Sequence, residues 1–135
     1  MRLENRGRVK PGDPTPDAGT MHHIFFSHIR AEECGPRGSY FLGSPERAIE
    51  DVYMHDIEVY QRTSEKTVHP ESDYPRMKDT YPDAHMIDEI GDAPAYGLWV
   101  RHIHRLTLAG YSVKPEGFEH RPEYVATTDA EMLIL

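Results

Sequence analysis

The sequence predicts an all-β chain, a parallel β-solenoid fragment of three to four coils with one long side loop, on three observations. One hydrophobic spelling recurs: Ile24, Phe26, Ile29 and Ala31 fall at steps of two, three and two, and so do Val52, Met54, Ile57, Val59 and Leu106, Leu108, Tyr111, Val113. The starts lie 28 and then 54 residues apart, the second gap being about two periods of 27. Repeats of this period mark stacked units, because one unit cannot bury its apolar face without a neighbour. Steps of two are strand alternation and the step of three is a one-residue bend, whereas a helix needs threes and fours throughout. The second observation is an apolar fraction of only 38% in 135 residues, which suits a thin inward stripe per coil better than a large compact core. The third is eleven prolines and ten glycines, which supply many turns and argue against long helices.

The elements follow in order. Residues 1–20 are polar and proline-marked, an irregular lead-in; residues 21–135 form the coils. Residues 21–34 are the first strand pair, Gly35-Pro36-Arg37-Gly38 a turn, Ser39–Gly43 a short aromatic strand, and Ser44–Arg47 a turn into the second repeat through Tyr60. Residues 62–94 break the period and read as a loop inserted at one corner, since an excursion of this length is uncommon inside a compact unit. Met86–Ile90 could make one helical turn within it. The third coil starts at Ala95, with Tyr96–Val100 placed as Ser39–Gly43 is. The fourth starts at Arg121 and stops on the apolar run Met132–Leu135. That run carries no polar cap, so the expectation is a chain cut through a coil, whose open ends favour end-to-end homo-oligomers.

Charge and composition exclude several classes. A net charge of −8 argues against a nucleic-acid partner, which needs a concentrated basic face. No apolar run reaches the length of a membrane helix, and the first ten residues are not a signal peptide. Cys34 is the single cysteine, so no internal disulfide or cysteine metal cluster forms, and it reads as a small buried or half-buried residue. These features leave the compartment open.

Several segments, in order, resemble glycoside hydrolase family 28. Ser39–Val52 (Ser-Tyr-Phe-Leu-Gly-Ser-Pro-Glu-Arg-Ala-Ile-Glu-Asp-Val) resembles the family's small strand leading through a Gly-x-Pro turn into an apolar strand. Tyr81-Pro82, then Pro94-Ala95-Tyr96-Gly97 through Arg101-His102, is similar to its Tyr-Pro loop, Pro-Ala-Tyr-Gly and Arg-His pair, and Arg121-Pro122 to a late Arg-Pro-Ala segment. The resemblance spans roughly residues 20–135. It implies a right-handed parallel β-helix of the pectin-lyase-like type, a polysaccharide or oligosaccharide partner, no cofactor, and a family commonly secreted or periplasmic. The family's chemistry is inverting hydrolysis by two carboxyl groups, on Asn-x-Asp, Asp-Asp, Gly-His-Gly and Arg-x-Lys motifs upstream of the matched segment. This chain has no Asp-Asp, Gly-His-Gly or Arg-Ile-Lys, and Gly7 stands where Asn5 would need its aspartate. No catalytic residue is therefore carried over. The implied function is the C-terminal portion of a pectin-type polysaccharide hydrolase, inactive alone; the alternative is a non-catalytic carbohydrate-binding or structural solenoid.

The candidate carbohydrate contacts are Tyr74, Tyr81, Arg101 and His102: tyrosine faces pack on sugar rings, and the Arg-His pair matches the family's. His102 and His104 would share one face of a strand, but Arg101 and Arg105 beside them oppose a divalent ion, so no metal site is assigned. Asp83, Asp88, Glu89 and Asp92 offer paired carboxylates in the long loop, where a solvated charge cluster is the simpler reading. His28 and His55 stand at or next to equivalent places in adjacent coils and are expected to stack on the outer face, and Trp99 is expected to be core or a loop contact.

Overall fold

The structure, a computed structural model, describes residues 1, 10–14, 17, 19–74 and 91–135. Its strands are β1 (Met21–Cys34), β2 (Ser39–Leu42), β3 (Ile49–Gln61), β4 (Leu98–Arg101), β5 (Ile103–Pro115), β6 (Tyr124–Ala126) and β7 (Met132–Ile134). They form two sheets, β1-β3-β5-β7 and β2-β4-β6, and every neighbouring pair is parallel. The chain alternates between the long-strand and the short-strand sheet, adding one layer to each in turn.

The hydrophobic repeat is the register. Ile24 pairs with Val52, Val52 with Leu106 and Leu106 with Met132; Phe26, Met54, Leu108 and Ile134 make a second column. Ile29–Ile57–Tyr111 and Ala31–Val59–Val113 make the third and fourth. These side chains meet Phe41, Leu98 and Val100 from the short-strand sheet in one core. Burial deepens inward from the edge strand: Ile29 is 41% exposed while Ile57 is 4% exposed, because nothing among the described residues layers onto β1. The core is accordingly open beside β1, where Met1, Phe26, Ile29, Phe41, Met54 and Tyr111 are among the residues around a hollow of ≈ 510 Å³. Met1 reaches the edge of β2, its ammonium donating to the Tyr40 carbonyl (2.7 Å) and its carbonyl accepting from Leu42.

The bends are left-handed corners. His28, Asp56 and Gly110 occupy one layer position with φ of 55°, 54° and 68°, which is the residue skipped in the step of three. A second corner column, His23, Asp51 and Arg105 at φ 54°, 54° and 56°, lies before the repeat as read from sequence. It extends the inward stripe by one more column, Met21, Ile49 and Ile103, of which the last two are fully buried. A single αL residue turns a strand without breaking the ladders on either side, at a steric cost that only glycine escapes.

The short-strand sheet is covered on both faces. Phe41, Leu98 and Val100 face the main core, while Leu42 and Trp99 face a second cluster with Tyr74, Ala93 and Ala95. The described ends of the 62–94 segment thus pack against this sheet, and a 3₁₀ turn, Glu71–Asp73, carries the chain into Tyr74. Met86–Ile90 lies outside the described residues.

Candidate functional site

Arg101, at the end of β4, organises the inner end of the long loop. Its Nε donates to the Glu71 carboxylate, its Nη2 donates to the carbonyls of Glu71 (3.0 Å) and Tyr74 (2.9 Å), and its guanidinium lies 4.8 Å from the Trp99 ring centre. Tyr74 is 2% exposed, its ring 4.8 Å from that of Trp99 and its hydroxyl donating to the Asp92 carbonyl. Burial pushes that hydroxyl's pKa up. Neither Tyr74 nor Arg101 therefore presents a surface to solvent: both pin the loop to the sheet. His102 sits in the corner between β4 and β5, with φ 48°, and its Nδ1 meets Asp129 at 2.7 Å. Burial raises the Asp129 carboxyl, but hydrogen bonds from His102 and Thr127 outweigh it and leave it below its ordinary value. Because His102 is a corner rather than a strand residue, it does not share a face with His104, which lies 3.9 Å from Glu50. Tyr81, Asp83, Asp88 and Glu89 lie outside the described residues.

A second buried lock joins the turns on the far side. Arg121 pairs with Glu119 through two bonds of 2.9 Å, from Nε and Nη2, both side chains at most 3% exposed; Nη2 also donates to the Pro36 carbonyl (2.8 Å), and Nη1 donates to the carbonyls of Ala93 (3.1 Å) and Arg37 (3.4 Å). Burial alone would raise the Glu119 carboxyl; the Arg121 guanidinium and the amides of Ser64 and Arg121 overcome it and hold the pKa at about 2. Beside it the Ser64 hydroxyl donates to Asp92 (2.6 Å), whose other oxygen lies 3.8 Å from Lys66. The lock was not foreseen, because Glu119-His-Arg121 in a polar stretch reads as solvated surface.

The outer face of the long-strand sheet is different in kind. Phe25 and Tyr53 project side by side from adjacent layers, 74% and 37% exposed, with ring centres 6.1 Å apart. Tyr53 and His55 lie 6.2 Å apart and nearly parallel, and His28 and His55 lie 5.5 Å apart edge to face. The expected histidine pair therefore meets, though on a diagonal: His28 is level with Asp56, and His55 pairs with Ser27. Along the corners Asp51 is held by Arg105 (2.5 and 3.1 Å) and lies 3.7 Å from His23, and Asp56 lies 3.9 Å from His28. Phe25 and Tyr53 were legible as outward positions of the repeat; their shared exposure was the signal missed.

Among the described residues, no group of three or more His, Cys, Asp or Glu is placed to hold a metal, and no helix is long and apolar enough to cross a membrane. Comparison with protein-family models, with curated proteins and with solved structures gives no significant match.

Proposed function

We propose that this chain is a stack of coils of a right-handed parallel β-helix and serves as the non-catalytic, C-terminal portion of a pectin-type polysaccharide hydrolase. The observation that carries this reading is the single register repeated through the layers of the long-strand sheet, joined to the ordered resemblance of Ser39–Val52, Pro94–His102 and Arg121-Pro122 to glycoside hydrolase family 28. Crossovers between parallel strands are right-handed in nearly all proteins, which supports the hand. The carboxyls argue for the non-catalytic part of the reading. Inverting hydrolysis keeps one carboxyl protonated, hence with a raised pKa, whereas the displaced carboxyls among the described residues, Asp51, Glu58, Glu119 and Asp129, all move downward.

The purified chain is expected to release no reducing sugar from polygalacturonate and to be depleted from solution by insoluble pectin. Turnover that is lost on Asp92→Ala would place catalysis in the long loop and overturn the reading; failure to associate with pectin would remove its substrate class. A second reading, a stand-alone carbohydrate-binding solenoid, is favoured by the exposed rings of Phe25 and Tyr53.

A further inference from the structure

The largest exposed rings on the long-strand sheet stand together. Phe25 and Tyr53 occupy one register column, continued by Thr107 and Leu133, and the next outward column runs Ser27, His55, Ala109. Grouped exposed apolar side chains on a folded chain often mark a binding site. The rings are held firmly: each strand segment ends in left-handed corners on both sides, and every layer is hydrogen-bonded to the next.

We propose that this shelf binds an uncharged carbohydrate chain running across the strands, with Phe25 and Tyr53 stacked under successive sugar rings and His55, His28 and Thr107 bonding their hydroxyls. The inference rests on the polysaccharide reading above and adds a site and a ligand class to it. Layers of a sheet rise by about 4.8 Å, close to the length of one pyranose unit, so one ring per layer is a natural match. A sugar presents C–H faces and hydroxyl edges together, and the shelf likewise mixes aromatic faces with imidazole and hydroxyl groups. Its charges select against a polyanion. Around the shelf Arg105, Arg30 and Lys114 stand against Glu32, Glu50, Asp51, Asp56 and Glu58, and Asp51 already holds the Arg105 guanidinium in two bonds. A net acidic rim in a chain of charge −8 repels polyuronate and leaves an uncharged glycan as the occupant.

The test is calorimetry or affinity electrophoresis at pH 7.5, with soluble galactan, arabinan, galactomannan and xyloglucan beside polygalacturonate. At least one neutral glycan is expected to bind more tightly than polygalacturonate. Phe25→Ala and Tyr53→Ala should each weaken it about tenfold, the loss of one stacking contact, while Phe25→Tyr and Tyr53→Phe retain it. Phe118→Ala, removing a ring 82% exposed that lies outside this register column, should leave affinity unchanged. Melting curves of all five variants verify folding. The proposal is overturned if no neutral glycan binds the folded chain, if polygalacturonate binds as well, if the alanine variants bind unchanged, or if wild-type dimers dissociate on Phe25→Ala, which would make a second copy the occupant. Neutral-glycan binding that survives both alanine variants removes the shelf and, where pectin still depletes the chain, leaves the pectin reading standing; shelf-dependent neutral-glycan binding without pectin depletion does the reverse.

Discussion

Tyr53 and Trp99 are both aromatic residues pointing away from the main core, yet Tyr53 is 37% exposed and Trp99 is fully buried. Tyr53 belongs to a sheet whose outer face nothing among the described residues covers, whereas Trp99 belongs to a sheet that the described ends of the long loop cover. The same alternation along a strand thus gives opposite environments, and what decides between them is a segment distant in sequence. Outward residues are energetically cheap on the first sheet and structural on the second.

The largest effect expected from this contrast lies at the covered sheet's locks. Arg121→Ala leaves the Glu119 carboxylate buried without its cation, a loss of about 3–5 kcal/mol, whereas Arg105→Ala on the open face, where the pair with Asp51 is in contact with water, should cost far less; urea unfolding of the two variants measures the gap. The same lock has a pH signature. The folded pKa of Glu119, about 2, lies below the ordinary 4.5, so its contribution is complete above pH 4.5 and is lost as the pH falls toward 2. A loss on the order of 3 kcal/mol follows from that displacement, and the slope should flatten in Arg121→Ala. An acid limb equally steep in both proteins would assign it to other groups.

Trp99→Ala comes next, at about 3–5 kcal/mol for an emptied aromatic site, against less than about 1 kcal/mol for Tyr53→Ala. Trp99→Phe sharpens the comparison. The indole N–H has no hydrogen-bond partner among the described residues, so its removal recovers a buried polar cost and should offset much of the lost packing. The smallest effects belong to the corners. Asp56→Asn, keeping a side chain that tolerates φ 54°, should stay within about 0.5 kcal/mol, and Asp56→Val should cost about 1–2 kcal/mol through strain alone. Equal melting temperatures for these two variants would mean that the corner is not a left-handed one.

The long-strand sheet was legible because one face is wet. Alternation writes itself into Ile24, Phe26, Val52, Met54, Leu106 and Leu108, and the step of three marks the corner by skipping His28, Asp56 and Gly110. The earlier corner follows the same step from Met21 to Ile24, from Ile49 to Val52 and from Ile103 to Leu106, and could have been read by extending the repeat backward. The short-strand sheet was visible only as brief apolar runs, since Leu98-Trp99-Val100-Arg101 is buried on both faces and carries no alternation. Arg101 and Tyr74 look like surface groups in sequence because charge and a neighbouring proline normally mean solvent. Their burial depends on Glu71 and Asp92 arriving from elsewhere in the chain. Gly43 shows the same dependence: a Cβ there would overlap the His102 carbonyl, a contact between residues far apart in sequence.

The two corner columns also act as a ruler along each long strand. Between His23 and His28, Asp51 and Asp56, and Arg105 and Gly110 the spacing is identical, and each corner sits directly against its counterpart in the next layer. One residue added between them would turn the following side chains inside out and set its corner against a straight segment of the neighbour. Changes in chain length are therefore confined to the connections between strands, at 35–38, 62–97 and 116–123 and at 43–48, 102 and 127–131, which already differ widely. Variants and relatives that keep this architecture should vary freely in the size of those connections while holding the interval between corners fixed.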